Sequence, residues 1–583
     1  MKAALLHFRT TLLAAFFAAI LPAASIPSFC QEKAPVKVEE IALAASDGIK
    51  LATIVVRPER EGKFPTVIFR SPYGADWMKS YLQRFAQRGY ACVYQDVRGR
   101  YNSGGVFDPF VNEIPDGDVT LRWIRSQPWS NGVVGSSGHS YLGFTALYLS
   151  AGKETPPQVI VASDPVASPL GGLYTNGAMN HHFDYYWAIL VDGKDRDLQP
   201  VISLDWERLF PLLPLSDAPR LGVNSEIPHY KKWVDWANGS FGKGLLPQTS
   251  RLACDNSAVL LMGGWFDLFC PDVLKLYTQL RARSSGEKVK LIVGPFDHGS
   301  DPPPESEMDF GNWKSVNIQG FQDRWLDRWL LDSPNGADKE PAVRFFLMGD
   351  NRWVSAAAWP PAGTTEKSLY LHCTGKANTL RGKGMLNGKA PAKEPYDAFT
   401  YDPGNPVPTR GGSICCLREM TKAGAMDQRV IEGREDVLVY TTGVIDRDIT
   451  VVGQVELELF ASTSARDTDF TGKLVDVGPE GKALNITESI VRARFRNGMG
   501  DPQFLTPGAV ERYRFSLGQT AMTFLKGHRI RLEVSSSNFP RFDRNLNTGG
   551  PIGAESSFVK ADQKIFHDRE HPSRLILSVW DKK

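Results

Sequence analysis

Between residues 64 and 165, apolar runs of strand length alternate with segments of helical spacing, and this alternation constrains the fold more than any other feature of the 583-residue chain. PTVIFRSPYG (65–74) and YACVYQDVRGR (90–100) are apolar runs that end at glycine or polar residues, with SYLQRFAQRG between them at helical spacing. DGDVTLRWIRSQPW leads into the strand VVGSSG, the helical FTALYLSAG follows, and PPQVIVASDP is a further strand. Strand and helix in strict succession predict a mostly parallel sheet, because a parallel neighbour requires a crossover that a helix supplies. The pattern resumes with SAVLLMGGWFD, DVLKLYTQLRARS, VKLIVGPFDHG and FQDRWLDRWLL.

Two regions depart from it. Residues 172–250 are aromatic and helical in spacing, broken by proline and glycine, and predict a helical cap inserted over the sheet. After about 365 the periodicity becomes two, in short runs such as ITVVGQVELELFAS and HRIRLEVSS, which predicts an antiparallel β-sandwich or jelly roll. The expected organisation is a first part of the α/β unit at 34–171, the cap at 172–250, the second part at 251–365 and the sandwich at 366–583. At the N-terminus, Lys2 and Arg9 precede an apolar stretch, Leu12 to Ala24, too short for an ordinary membrane span. Residues 1–30 therefore read as a secretory signal, and the bulky Phe29 before Cys30 argues against lipid attachment. Export to the periplasm or the medium is expected, without stable membrane insertion.

Charge excludes one class of partner. The 67 basic and 65 acidic residues nearly cancel and form no long run, so no footprint for nucleic acid is present. Cys92, Cys254, Cys270, Cys373, Cys415 and Cys416 include no paired CxxC units, which argues against a metal site; their pairing is not assignable from spacing.

Ser140 is the first candidate for chemistry. It follows a strand that ends in glycines and precedes a helical segment, in GHSYLG, whose second glycine stands one place later than in the Gly-x-Ser-x-Gly elbow. Taken alone, a turn or helix-capping serine is the better explanation. A nucleophilic serine needs a base, and the base needs an orienting acid, at the ends of later strands of the same sheet. Asp267 follows AVLLMGGWF and His298 follows KLIVGPFD, giving the chain order Ser, Asp, His of an α/β-hydrolase. Asp297 and Asp272 are rival acids, although Asp297 is adjacent to the histidine and should point away from it. Oxyanion donors are expected from the amide of Tyr141 and from the hydroxyl of Tyr73 in SPYGADW.

RSPYG, QDVRGRYNSGG, WSNGVVGSSGHSYLG, GGWFD, GPFDHG and SSSNFPRFDRNLNTGG, in this order, resemble the CocE/NonD hydrolases, which comprise cocaine esterases, α-amino-acid ester hydrolases and X-Pro dipeptidyl-peptidases. The resemblance covers essentially the whole mature chain. It implies an α/β-hydrolase domain with a helical cap and a C-terminal jelly roll, with Ser140 as nucleophile, Asp267 as acid, His298 as base, and Tyr73 and Tyr141 as oxyanion donors. Members acting on amino-acid esters carry an acidic pair shortly after the triad aspartate, where this chain has Leu268, Phe269 and Cys270. A buried ammonium there would lack a counter-charge. The expected substrate is therefore a small neutral ester with a bulky apolar or aromatic acyl group. Phe269, Trp265, Tyr186 and Trp187 are candidates for the pocket wall. An amidase or X-Pro peptidase, and a non-catalytic carbohydrate-binding protein, are the alternatives. The reaction needs no cofactor, and a homo-oligomer is compatible with the sequence. Arg98 in QDVRGR is expected to tie loops together, and NFPRFDRNLNTGG to brace the jelly roll against the catalytic unit.

Overall fold

β1 (Val36–Ala44) and β2 (Lys50–Pro58) form an antiparallel hairpin at one edge of a ten-stranded sheet. These are the first strands of a computed structural model that describes residues 34–195, 198–239, 249–283, 287–418 and 420–582; the expected signal segment lies outside the described residues. The sheet continues with β3 (Phe64–Ser71), β4 (Ala91–Asp96), β5 (Ser130–His139) and β6 (Val159–Ser163). A two-residue pair, β7 (Tyr174–Thr175) and β8 (Ala178–Met179), stands apart from it. β9 (Ala258–Gly264), β10 (Val289–Gly294), β11 (Val343–Leu347) and β12 (Arg352–Ala356) complete the spatial order β1-β2-β4-β3-β5-β6-β9-β10-β11-β12. From β4 to β11 every neighbour pair is parallel, and only the edges are antiparallel.

The central strands are apolar throughout because both faces are covered. Val67, Phe69, Val161 and Leu260 pack with Leu82, Phe85 and Trp325, from helices Lys79–Gln87 and Ile318–Leu330. The alternate positions Ile68 and Val93 face Leu121 and Ile124 of helix Glu113–Ser126, while Ile160 and Leu261 face Phe144 and Val273. Two layers of helices thus bury one set of side chains each, as the period of two along a strand requires.

Between β6 and β9 the chain forms the cap, with helices His181–Leu190, Trp206–Leu209, Ala218–Val223 and Pro228–Trp236. Its interior is aromatic; Trp187 stacks on Trp233 at 5.5 Å between ring centres, and Tyr185 packs on Trp206, Phe210 and Tyr230.

The C-terminal part is an eleven-stranded β-sandwich of jelly-roll type, opening with Thr364–His372. Its two halves meet through the short strand Gly384–Asn387, antiparallel to Thr364–His372 on one side and parallel to Leu438–Thr441 on the other. The NFPRFDRNLNTGG stretch joins this sandwich to the cap rather than to the parallel sheet. Asp543 receives the amide of Met179 at 2.6 Å, and Arg544 donates to the Pro211 carbonyl. No helix among the described residues is long and apolar enough to cross a membrane.

Candidate active site

Register levels the strand ends that carry the site. Gly138 and His139 of β5 lie beside Ala162 and Ser163 of β6, and Gly264 of β9 lies beside Gly294 of β10. The residues just beyond these ends, Ser140, Asp164, Asp267 and His298, therefore converge at the carboxyl edge of the sheet.

Ser140 sits at the junction of β5 and helix Tyr141–Tyr148 with φ 59° and ψ −125°. That conformation costs an L-residue of order 1–3 kcal/mol and is held here by the surrounding contacts. The Ser140 amide donates to the Ser163 carbonyl at 2.9 Å, and its own carbonyl receives the Phe144 amide at 3.0 Å. The late glycine of GHSYLG has a local reason. A Cβ on Gly143 would stand 3.0 Å from the Pro165 side chain and 3.2 Å from the Ser163 carbonyl, and one on Gly138 would meet the Leu142 carbonyl at 2.2 Å. The tight elbow thus asks for glycine at 138 and 143, while Leu142 is buried without conflict.

The hydrogen bonds order the three side chains. Nε2 of His298 lies 2.8 Å from Oγ of Ser140, and Nδ1 lies 2.7 Å from Oδ2 of Asp267. With Asp267 ionised, Nδ1 carries the hydrogen and donates to it, leaving Nε2 to accept from the serine hydroxyl. Asp267 is fully buried and its Oδ1 receives the Phe269 amide at 2.7 Å. Burial alone would raise this carboxyl, but the His298 charge and hydrogen bond, together with a hydrogen bond from Asp164, hold it below the usual carboxylate range. The rival acids are engaged elsewhere. Asp297 pairs with Arg418 from the C-terminal part, and the Asp272 carboxylate abuts Gly171.

Sequence reasoning did not single out four residues around this core. Asp164, at the end of β6 with φ 42°, is pushed well above the carboxylate range by burial and by the charge of Asp267, so it carries a proton it can donate to Asp267. His139 ends β5 with its ring 4.7 Å from that of His298. Burial and the His298 charge hold it down to about 3, which keeps its own ring neutral. Glu113 accepts from the Tyr141 hydroxyl at 2.5 Å, which fixes the ring of the residue whose amide opens the helix. Arg100, fully buried, donates to the carbonyls of Pro72 at 2.8 Å, Val191 at 3.0 Å and Gly193 at 2.5 Å, so it ties the Tyr73 loop to the cap. In the sequence the segment QDVRGR stands out for Arg98 as a loop tie, not for Arg100. Its Arg98 bridges Asp116 at 2.7 Å and Asp47 at 2.5 Å.

The Tyr73 hydroxyl interacts with Ser140 and receives the Trp187 indole N–H at 3.1 Å; burial pushes the phenol up to about 12, so it stays protonated as a donor. The Tyr141 amide belongs to the first helical turn, where no carbonyl of the helix is available to it. Phe269 sets its ring edge-to-face against His298 at 5.3 Å and against Phe183 at the same distance. Trp187 stacks on Phe183 at 5.9 Å and so belongs to the same aromatic wall. Two of the expected wall residues are used for packing instead. Trp265 donates its indole N–H to the Phe346 carbonyl at 2.7 Å and packs on Trp359. Tyr186 packs on Trp206 inside the cap, because neighbours along a helix point about 100° apart and cannot both face the serine.

Beside His298 lies a loop of the C-terminal part carrying the only disulfide among the described residues, between the adjacent Cys415 and Cys416. Cys92, Cys254, Cys270 and Cys373 are buried free thiols.

Comparison with known proteins agrees with this architecture. Residues 47–300 match the X-Pro dipeptidyl-peptidase (S15 family) model, and residues 335–576 match the X-Pro dipeptidyl-peptidase C-terminal non-catalytic domain. A cocaine esterase of Rhodococcus sp. (strain MB1 Bresler) is 32% identical over 573 residues, covering 91% of this chain and 96% of that protein. Among solved structures, an aminopeptidase from the marine sediment archaeon Thaumarchaeota archaeon superposes with a TM-score of 0.77 at 26% identity, covering 96% of this chain and 98% of its own. An α-amino acid ester hydrolase superposes with a TM-score of 0.79 at 25% identity, covering 96% and 99%.

Proposed function

Because the chain belongs to the CocE/NonD family of serine hydrolases, we propose that it hydrolyses neutral carboxylic esters of bulky apolar or aromatic acids through an acyl-enzyme on Ser140. The observation that carries this reading is the continuous hydrogen-bonded line from Ser140 Oγ through the His298 ring to Asp267.

In the first step Ser140 Oγ attacks the ester carbonyl carbon while Nε2 of His298 takes its proton. The ionised Asp267 holds Nδ1–H in place and balances the imidazolium charge. Protonated Asp164 keeps the negative charge on Asp267, and neutral His139 adds no repulsion. The Tyr73 hydroxyl and the Tyr141 amide receive the developing oxyanion, each such donor contributing roughly 3–4 kcal/mol to the barrier reduction. Collapse expels the alcohol with the proton returned by Nε2, and water repeats the sequence on the acyl-enzyme.

The aromatic surroundings support the acyl preference. Phe269, Phe183 and Trp187 form a contiguous aromatic wall that meets the His298 ring through Phe269, and the three positions directly after Asp267, Leu268, Phe269 and Cys270, offer no carboxylate for a substrate ammonium. Release of alcohol or amine from acetyl, butyryl and benzoyl esters, amino-acid esters and X-Pro amides tests this directly. A stoichiometric burst with benzoyl esters, absent in Ser140→Ala, is the expected result. Turnover confined to substrates bearing a free α-amine would refute the acyl assignment. The charge and apolar pattern of residues 1–30 supports export of the protein, which cell fractionation of the full chain would test.

A further inference from the structure

The disulfide between Cys415 and Cys416 occupies an unusual place: one donor atom from each sulfur and one ring nitrogen of His298 all lie within 4.8 Å of one another. Three donors around one tetrahedral zinc stand roughly 3.5–3.8 Å apart, given metal–sulfur and metal–nitrogen distances near 2.3 and 2.0 Å. Adjustments on the order of 1 Å would therefore suffice to gather them. We propose that reduction of Cys415–Cys416 creates an inhibitory site for a thiophilic divalent ion, of the Zn2+ or Cd2+ class, formed by both thiolates and His298.

The loop is held so that opening the disulfide leaves its sulfurs in place. On one flank the Ser413 hydroxyl donates to the Trp265 carbonyl at 3.4 Å, and Gly412 bridges to Gly424 in both directions at 2.7 and 3.0 Å. On the other, Leu417 is fully buried and Arg418 pairs with Asp297, the residue preceding His298. Cys415 is buried, whereas Cys416 is part-exposed and open to attack by a thiolate.

The chemistry balances in two steps. A dithiol reductant attacks the Cys416 or Cys415 sulfur, the S–S bond breaks, and a second exchange releases two protein thiols and the cyclic disulfide of the reductant. The divalent ion then replaces the two thiol protons, which pass to solvent, and the neutral imidazole supplies a lone pair. Two thiolates with one imidazole select a soft or borderline ion over Mg2+ or Ca2+.

Inhibition follows because neither nitrogen of His298 is idle. Nε2 faces Ser140 at 2.8 Å and Nδ1 faces Asp267 at 2.7 Å. Metal on either one removes the acceptor for the serine proton or the contact that orients the ring. Only this inhibitory consequence rests on the reading of His298 as the base; ion binding itself does not.

The test uses oxidised protein and protein reduced by a dithiol and desalted without oxygen. Each is titrated with Cd2+ while thiolate-to-cadmium absorption and hydrolysis of a neutral benzoyl ester are followed in the same sample. Reduction is expected to raise the thiol count by two. The reduced protein should bind one Cd2+ per chain, lose at least about 10-fold of its turnover at saturation, and regain it with a chelator. The oxidised protein should show neither change. C415S/C416S should lose the absorption and the inhibition, and Cys416→Ala, which leaves the buried Cys415 in place, tests the same point if the double variant does not fold. His298→Ala should keep the absorption but bind at least about 10-fold more weakly. An unchanged thiol count, equal absorption in the cysteine variants, equal inhibition of the oxidised protein, or full turnover with Cd2+ bound would each overturn the proposal. Absorption without hydrolysis of any ester under any condition would leave the metal site standing and overturn the esterase reading.

Discussion

The cleft at the carboxyl edge of the first sheet and the seam between cap and sandwich both bury ionisable side chains, yet they balance charge by opposite means. In the seam Arg492 forks onto Asp469 at 3.0 and 2.9 Å and reaches Asp543 at 3.0 Å, and Arg494 pairs with Asp467 at 2.7 Å. In the cleft Asp267 faces a histidine, Asp164 faces another carboxylate, and no arginine among the described residues hydrogen-bonds to the three aligned side chains. Burial does not separate the regions, since it pushes Asp469 up to about 6 even beside Arg492. The partner does. A guanidinium stays charged at any working pH and makes a fixed brace, whereas imidazole can give up or accept a proton within the same hydrogen bonds.

The contrast is broken most severely at the nucleophile. Ser140→Ala should lower turnover of a benzoyl ester by about 10^4-fold or more with the melting temperature little changed, as steady-state rates and thermal denaturation would report. In the seam the expected order reverses. Arg492→Leu leaves Asp469 and Asp543 without their cation and should cost about 3–5 kcal/mol of stability, measured by denaturant unfolding, while active-site-titrated molecules keep their turnover. Tyr73→Phe, which removes one oxyanion donor and little volume, should reduce kcat by about 10^2–10^3-fold with KM nearly unchanged; a KM effect alone would mean that the hydroxyl binds ground-state substrate.

A smaller effect is expected in the cap. His182 is buried against Phe210 with neither ring nitrogen hydrogen-bonded among the described residues, and burial holds it down to about 3 from its ordinary 6.5. Between these values the unfolded chain binds a proton that the native chain does not. Its contribution to stability is therefore present above about pH 6.5 and is lost as pH falls, by up to about 1.4 kcal/mol per unit. His182→Phe should flatten the stability–pH curve between pH 4 and 6 by one proton; an unchanged slope would mean that the native ring is protonated there.

Much of the architecture was legible because it is periodic. Parallel strands buried on both faces read as apolar runs, and their ends mark where Ser140, Asp267 and His298 were expected; the structure brings these three within hydrogen-bond distance. The antiparallel hairpin at β1 and β2 also had a local signal, in alternation on either side of Asp47 and Gly48. What was not legible depends on tertiary neighbours. Asp164 and His139 acquire their protonation states from Asp267 and His298, more than 100 residues away. The cysteine pair reaches His298 from the other half of the chain. Tyr186 and Trp265 were expected at the wall as aromatic residues; they lie one and two positions from Trp187 and Asp267, but side-chain direction alternates faster than sequence proximity suggests. Phe183, four residues before Trp187 on the same helical face, joins Phe269 instead.

In the proposed mechanism Ser140 becomes acylated with His298 as its base. Mass analysis of peptides from protein quenched within the first turnover of a slow neutral benzoyl ester tests it most directly. One benzoyl adduct per chain is expected on the Ser140 peptide, hydrolysed with time, absent in Ser140→Ala and strongly reduced in His298→Ala. Turnover with no adduct, or an adduct on another side chain, would contradict it.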